Sequence, residues 1–186
     1  MIYHFGCSIV FIVLFCLSLS ESYAEESLYI PSRHALVIGN DAYEFAPLAN
    51  PKHDAELVRQ TLLKLNFDVV VKNNLSRNQF YIAVSEFTEQ LPIGSIAFVY
   101  YAGHGIQLQG NNYLVPVNMQ LTSEQSVALR SYPLNSLLDR MNAAASAVNI
   151  VILDACRNNP FRSQSTANLE IFLRWALFVR FHQKVH

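Results

Sequence analysis

Three observations predict an α/β fold with helices on both faces of a mostly parallel sheet. Apolar runs of strand length recur along the chain, helically spaced segments lie between them, and one tight turn marks a hairpin. The predicted order is β-α-β-α-β-(hairpin)-α-β. Two of the apolar runs, at 95–99 and 148–153, lead into Tyr100-Tyr101-Ala102-Gly103-His104-Gly105 and Asp154-Ala155-Cys156-Arg157. In open α/β sheets, ligands and chemistry collect at the C-terminal ends of strands.

The elements follow from local signals. A polar lead-in at 25–33 precedes the strand at 34–38 (HALVI), which Gly39-Asn40-Asp41 interrupts. Asn50-Pro51 opens a helix, since Asn caps and Pro fits the first helical position. Ala55, Val58, Leu62 and Leu65 form its apolar face. Asn66 closes it, and 67–71 is a second strand. Ser76-Arg77-Asn78-Gln79 has the capping-box pattern, and Phe80, Val84, Phe87 and Leu91 are the stripe of the helix that follows. Pro92-Ile93-Gly94 ends that helix. The third strand, 95–101, leads into a loop around His104. Gly110-Asn111-Asn112 is a turn between 106–109 and 113–117. Leu134, Leu137, Leu138 and Met141 mark a third helix, and 148–153 is the fourth strand. There is no internal repeat and no low-complexity linker.

The chain has 186 residues, enough for one domain with a core. Thirteen basic and fourteen acidic residues leave a net charge of −1 without any Lys/Arg run, so no electrostatic case exists for nucleic acid. Residues 7–19 are apolar but too short to span a bilayer comfortably, and Ser22-Tyr23-Ala24 places small residues where signal peptidase needs them. Residues 1–24 therefore read as a secretory signal cut after Ala24. The product would be exported, periplasmic or secreted, with no stable membrane span once the signal is removed. The segment before the apolar run carries only His4 and the amino terminus, which leaves an uncleaved N-terminal anchor as the alternative. Bulky Phe15 disfavours a lipoprotein reading through Cys16. The cysteines are at 7, 16 and 156, so the mature chain would keep a single thiol. Such a thiol is either buried and inert or kept for chemistry.

His104 and Cys156 suggest that chemistry. A thiol attacks an acyl carbon as thiolate, and a nearby imidazole takes its proton and returns one to the leaving amine. The oxyanion that forms needs preorganised donors, for which the backbone amides of Gly105 and Cys156 are candidates. Gly103 and Gly105 leave room for a substrate backbone beside His104. Taken alone, Cys156 could be a small buried hydrophobe and His104 a turn residue. Their joint placement at the ends of two predicted central strands favours the dyad. No metal site is expected, because His34, His53, His182 and His186 are not spaced as ligand pairs with cysteines. Gly103-His104-Gly105 lacks the wider glycine spacing of a phosphate loop, so no cofactor is expected.

These motifs resemble those of the caspase-like cysteine peptidases (peptidase C14), most closely the bacterial metacaspase-like branch. One strand ends in Tyr-Ala-Gly-His-Gly and another in Asp-Ala-Cys-Arg, with the His and Cys 52 residues apart. A Cys flanked by Ala and Arg, with its His about fifty residues upstream, is a caspase signature. The opening strand and the helix after Asn50-Pro51 are also similar, so the resemblance covers 34–161. It implies a caspase-like three-layer αβα fold with a mostly parallel sheet and a catalytic (p20-type) domain at 33–161. His104 and Cys156 would be the catalytic dyad acting on a peptide or protein substrate through an acyl-enzyme. Asp54 and Asp154 match positions where metacaspase-like members bind Arg or Lys through acidic groups, by charge-assisted hydrogen bonds. Otherwise, Asp54 would serve the helix dipole and Asp154 would orient the Cys loop. Ala102 stands where many metacaspases carry Ser, which removes a pocket hydroxyl.

Thirty residues follow Cys156, where caspase-like domains continue with further strands and helices. The segment 162–186 reads as an atypical tail, with Leu169, Phe172, Leu173 and Ala176 at helical spacing for docking on a sheet edge. The expectation is a shortened or frame-shifted form of a longer peptidase, its C-terminal part incomplete and its sheet edge exposed after the fourth strand. Two other readings stay open: a non-catalytic caspase-like module that binds peptides or partners, and a flavodoxin-like binding domain with an inert Cys156. Nothing in the sequence indicates an oligomeric state or a calcium loop.

Overall fold

A computed structural model of the chain describes residues 30–120, 122–156 and 175–181, with Cys156 and 175–181 described by their backbone pairing. The expected signal at 1–24 and tail residues 162–174 and 182–186 lie outside the described residues. Among the described residues, no helix is long and apolar enough to cross a membrane.

The elements in chain order are β1 (Arg33–Gly39), α1 (Pro51–Lys64), β2 (Asp68–Asn73), α2 (Arg77–Glu89), β3 (Ile96–Leu108), β4 (Asn111–Leu114), α3 (Glu124–Arg130), β5 (Tyr132–Pro133), α4 (Leu134–Ala143), β6 (Val148–Cys156) and β7 (Trp175–Phe181). The main sheet runs β2-β1-β3-β6-β7. β1 pairs with β2 and β3 in parallel, β3 pairs with β6 in parallel, and β7 lies antiparallel on β6. The α/β architecture expected from the alternating elements is therefore present.

Both sheet faces are covered, which is why the strands read as continuous apolar runs. On one face Ala35, Val37, Tyr100 and Ala102 pack with Ala55 and Leu62 of α1. On the other, Leu36, Ile38, Val99, Tyr101 and Val151 pack with Phe80 and Val84 of α2 and Leu137 and Met141 of α4. The stripe of α2 is buried as its spacing predicts, and Gln79 Oε1 accepts from the Ser76 backbone N–H at 2.9 Å. Asn66 closes α1 in the left-handed region, at φ 59°. Leu65, counted in the α1 face, is instead half exposed, because the helix has ended at Lys64.

Four expectations change. First, His104 does not sit in a loop, since β3 continues through it to Leu108. Ala102 O accepts from Asn40 N and His104 O from Val115 N, so β4 takes over the edge that β1 vacates after Gly39. Second, the hairpin turn is Gln109-Gly110, with φ 48° and 82°, and Asn111 and Asn112 already belong to β4. Two consecutive left-handed residues suit the twist of a two-residue hairpin. Third, α3 was not expected. Its cap is a reciprocal pair, in which Ser123 Oγ accepts from Ser126 N and Ser126 Oγ from Ser123 N, each at 3.1 Å. Serine replaces the usual Glu or Gln, and only Ser126 and Val127 are buried, so neither cap nor stripe stood out.

Fourth, the tail reaches the sheet edge as a strand and not as a helix. Trp175–Phe181 pairs antiparallel with β6, from Asp154↔Trp175 to Val148↔Phe181, and covers the edge expected to be exposed. Periodicity alone does not separate a short, mostly apolar strand from a buried helix, and the run is rich in β-formers. Leu169, Phe172 and Leu173 lie outside the described residues.

Candidate active site

The C-terminal edge of the sheet is assembled from three chain segments. β3 and β6 share a continuous parallel register, and its last two pairs are Gly103↔Ala155 and His104↔Cys156. Two residues far apart in sequence are thus direct neighbours on strands about 4.8 Å apart. The third segment is the β1–α1 loop, 40–50. Fully buried Asn40 anchors its start: its Oδ1 accepts from Leu75 N at 2.9 Å and its Nδ2 lies 3.4 Å from Val115 O. Asn74 Oδ1 then accepts from Asp41 N and Ala42 N, and Asp41 pairs with Lys52 at 3.1 Å. At its far end, α1 comes very close to β1. A Cβ on Gly39 would meet Pro51 O at 2.8 Å and Ala55 Cβ at 3.0 Å, so glycine is what lets the first turn of α1 rest on the strand end.

The loop wraps the half-buried His104. The Tyr43 ring lies 4.4 Å from the imidazole, and the Phe45 ring stacks on it at 5.3 Å. His104 Nε2 is 2.7 Å from Ala46 O. A carbonyl only accepts, so Nε2 carries the proton in this contact and Nδ1 keeps the ring's lone pair. Below the ring, the His104 N–H donates to Tyr43 Oη at 3.0 Å, and Tyr101 Oη donates to His104 O at 2.8 Å. Burial pushes the Tyr43 phenol up to about 12 and the Tyr101 phenol well above its usual value, so both stay neutral near neutral pH.

The remaining candidates sit as follows. Because His104 O faces β4, the trans peptide turns the Gly105 N–H to the opposite side of β3, where β6 runs. Asp154 is half-buried, pairs in register with Ala102, and accepts from buried Tyr100 Oη at a long 3.3 Å. Asp54 is half-buried in the first turn of α1, next to Ala55, which packs with Tyr100 and Ala102. The structure thus joins His104 with Cys156 in register and sets Asp154 on the strand beside Ala102. It records no direct contact between Asp54 and Asp154. Asn40, Tyr43, Phe45, Ala46 and Tyr101 were absent from the sequence-based site. The available signal was a polar and aromatic loop, Asn40-Asp41-Ala42-Tyr43-Glu44-Phe45, directly after a strand in a fold that places chemistry there.

An αβα sheet with a His and a Cys in register at its C-terminal edge is the arrangement of a caspase-type domain. The caspase domain family matches residues 32–174, and the chain belongs to that peptidase family. Over 126 residues it is 33% identical to the mucosa-associated lymphoid tissue lymphoma translocation protein 1 homolog of Mus musculus, covering 66% of this chain and 14% of that protein. The Homo sapiens mucosa-associated lymphoid tissue lymphoma translocation protein 1 is equally similar, with 15% of its length covered. The chain therefore spans about a seventh of the curated relatives it matches. Among solved structures, the crystal structure of protein GSU0716 from Geobacter sulfurreducens aligns with a TM-score of 0.53 at 19% identity. That alignment covers 68% of this chain and 51% of the other, and it supports the fold.

Proposed function

We propose that this chain is a cysteine endopeptidase working through a His104–Cys156 dyad and cleaving peptides or proteins after Arg or Lys. The observation that carries the reading is the His104↔Cys156 register pair at the end of β3 and β6. His104 Nδ1, left free by the Nε2 contact with Ala46 O, accepts the thiol proton. The thiolate attacks the substrate carbonyl carbon, and negative charge moves to the oxygen, where the Gly105 and Cys156 amides donate. The C–N bond then breaks, the imidazolium gives its proton to the leaving amine, and water hydrolyses the thioester.

Asp154 and Asp54 supply the specificity in this reading. Both lie on elements that meet over the C-terminal edge, and both are partly solvated, which suits recognition of a substrate guanidinium or ammonium. The working unit is the segment 33–161, with residues 1–24 as a leader for export to the periplasm or medium. Metacaspase-like behaviour follows from the same motifs, Tyr-Ala-Gly-His-Gly and Asp-Ala-Cys-Arg.

The test is hydrolysis of fluorogenic peptides with Arg, Lys or Asp at P1 by the full chain and by Cys156→Ala. Cleavage after Arg and Lys that disappears in the variant is the expected result. A folded chain that cleaves none of them, or one whose cleavage survives Cys156→Ala, refutes the peptidase reading and leaves a peptide-binding module.

A further inference from the structure

We infer that Tyr43 and Tyr101 form a neutral clamp that fixes the backbone of His104 on both sides of its Cα, making them positioning residues for the dyad. The inference rests on the dyad proposed above.

Two phenols reach the peptides on either side of the His104 Cα. The His104 N–H belongs to the peptide before the Cα and the His104 carbonyl to the peptide after it. Tyr43 Oη takes the first at 3.0 Å, and Tyr101 Oη donates to the second at 2.8 Å. Both soft torsions of residue 104 are therefore held by side chains, one from the β1–α1 loop and one from β3 itself. Each phenol has one proton. Tyr101 spends its proton on His104 O, its shortest contact. Tyr43 then directs its own to Val115 O or to Tyr101 Oη, each at 3.2 Å. The chain of donors is thereby closed without a charged group. Tyr101 has a second effect: the carbonyl it holds shares a peptide with the Gly105 N–H, the candidate oxyanion donor.

Gly103 belongs to the same device. A Cβ there would lie 2.6 Å from both Tyr43 Oη and Tyr101 Oη, so the absence of a side chain admits both hydroxyls beneath His104. The loop that carries Tyr43 also brings Phe45 onto the imidazole face and Ala46 O to Nε2. One element thus sets backbone, ring plane and tautomer together. Such support matters because a catalytic group must be held within a few tenths of an ångström of its productive position.

The test compares wild type, Tyr43→Phe, Tyr101→Phe, His104→Ala and Tyr132→Phe in the full chain. Iodoacetamide alkylation of Cys156 is followed from pH 5 to 9 by mass spectrometry of the peptide that contains it. This readout needs the dyad but no peptide hydrolysis. Tyr132 is the control: it is equally buried, and its hydroxyl has no partner among the described residues. The charged groups on the packed elements (Asp41 and Glu44 of the loop, Lys52 and Asp54 of α1, Asp154 of β6) are the same in every variant.

Wild type should alkylate with a midpoint below the ordinary thiol value of about 8.5. Tyr43→Phe and Tyr101→Phe should move that midpoint toward the ordinary value and slow alkylation at pH 6.5 about tenfold, while Tyr132→Phe leaves it in place. Clamp variants that stay folded by near-UV circular dichroism and keep the wild-type profile overturn the inference. An ordinary profile in wild type that His104→Ala does not alter removes the dyad, and the clamp's role falls with it. If either substitution prevents folding, the other decides. Amide exchange of the wild-type chain adds a measurement that needs no variant. The His104 N–H should be protected, and exchange at the rate of a free amide overturns the assignment.

Discussion

The hydroxyl of Tyr43 stands 2.6 Å from the point where a side chain on Gly103 would begin. Tyr101 Oη is equally close to that point. Neither phenol can retreat, because both are buried and each is held by further hydrogen bonds. Gly103→Ala should therefore act as overpacking and cost about 1–3 kcal/mol. Urea denaturation measures it. A midpoint equal to wild type would mean that the hydroxyls have room to move.

Asn40 leads to a second prediction. Its side chain is fully buried, and its Oδ1 satisfies the Leu75 N–H at 2.9 Å. Asn40→Ala leaves that amide without a partner in an enclosed site, a loss of about 1–3 kcal/mol. The same change frees the start of the β1–α1 loop, which carries Tyr43 and Ala46 to His104. Stability and Cys156 reactivity should fall together. Loss of stability with full reactivity would show that the Asn74 contacts to Asp41 and Ala42 suffice to hold the loop.

Much of this was legible in the sequence because parallel strands buried on both faces write themselves as unbroken apolar runs, such as IAFVYY before Ala102. The two motifs at the ends of those runs located His104 and Cys156 by the same logic. The His104 support was harder to see. Tyr43 and Tyr101 look like core residues, and only the register of β3 against the loop reveals that their hydroxyls meet one histidine. Periodicity also failed where packing overrides it. Trp175–Phe181 is apolar at every position but Arg180, so periodicity did not single out a strand until the free edge of β6 supplied a partner. The long run of β3 past His104 was missed because two glycines read as a loop. In the fold Gly103 lets the strand pass beneath two phenols, and Gly105 opens its pairing with β4 at Leu114.

The buried tyrosines predict the alkaline limit of the fold. Burial raises Tyr43 and Tyr132 to about 12 and pushes Tyr101 well up, against an ordinary value of 10. The unfolded chain then binds fewer protons than the folded chain between about pH 10 and 12, so stability falls with rising pH across that window. Below the ordinary value the contribution is complete. Denaturation midpoints measured from pH 8 to 11.5 should hold steady and then drop. Tyr132→Phe should make the drop shallower, and it should be neutral or slightly stabilising at pH 8, since it removes a buried hydroxyl that has no partner among the described residues. A drop of the same steepness in Tyr132→Phe would mean that Tyr132 is solvated in solution.

Asp154 allows specificity to be separated from catalysis. Its carboxylate lies beside the dyad strand pair, and Tyr100 Oη approaches it at 3.3 Å, longer than a strong hydroxyl–carboxylate bond. Asp154→Ala should raise KM for Arg and Lys peptides about tenfold to hundredfold, the worth of one charge-assisted hydrogen bond. Alkylation of Cys156 in the same variant should stay near wild type, because His104 is held by Tyr43, Tyr101 and Ala46. Tyr100→Phe removes the long contact and leaves the Asp154 carboxylate in place, so it should raise KM for Arg and Lys peptides less than Asp154→Ala does. If Asp154→Ala instead lowers kcat equally on Arg and neutral peptides, the carboxylate orients the Cys156 strand end, and basic selectivity must come from Asp54 or from elsewhere.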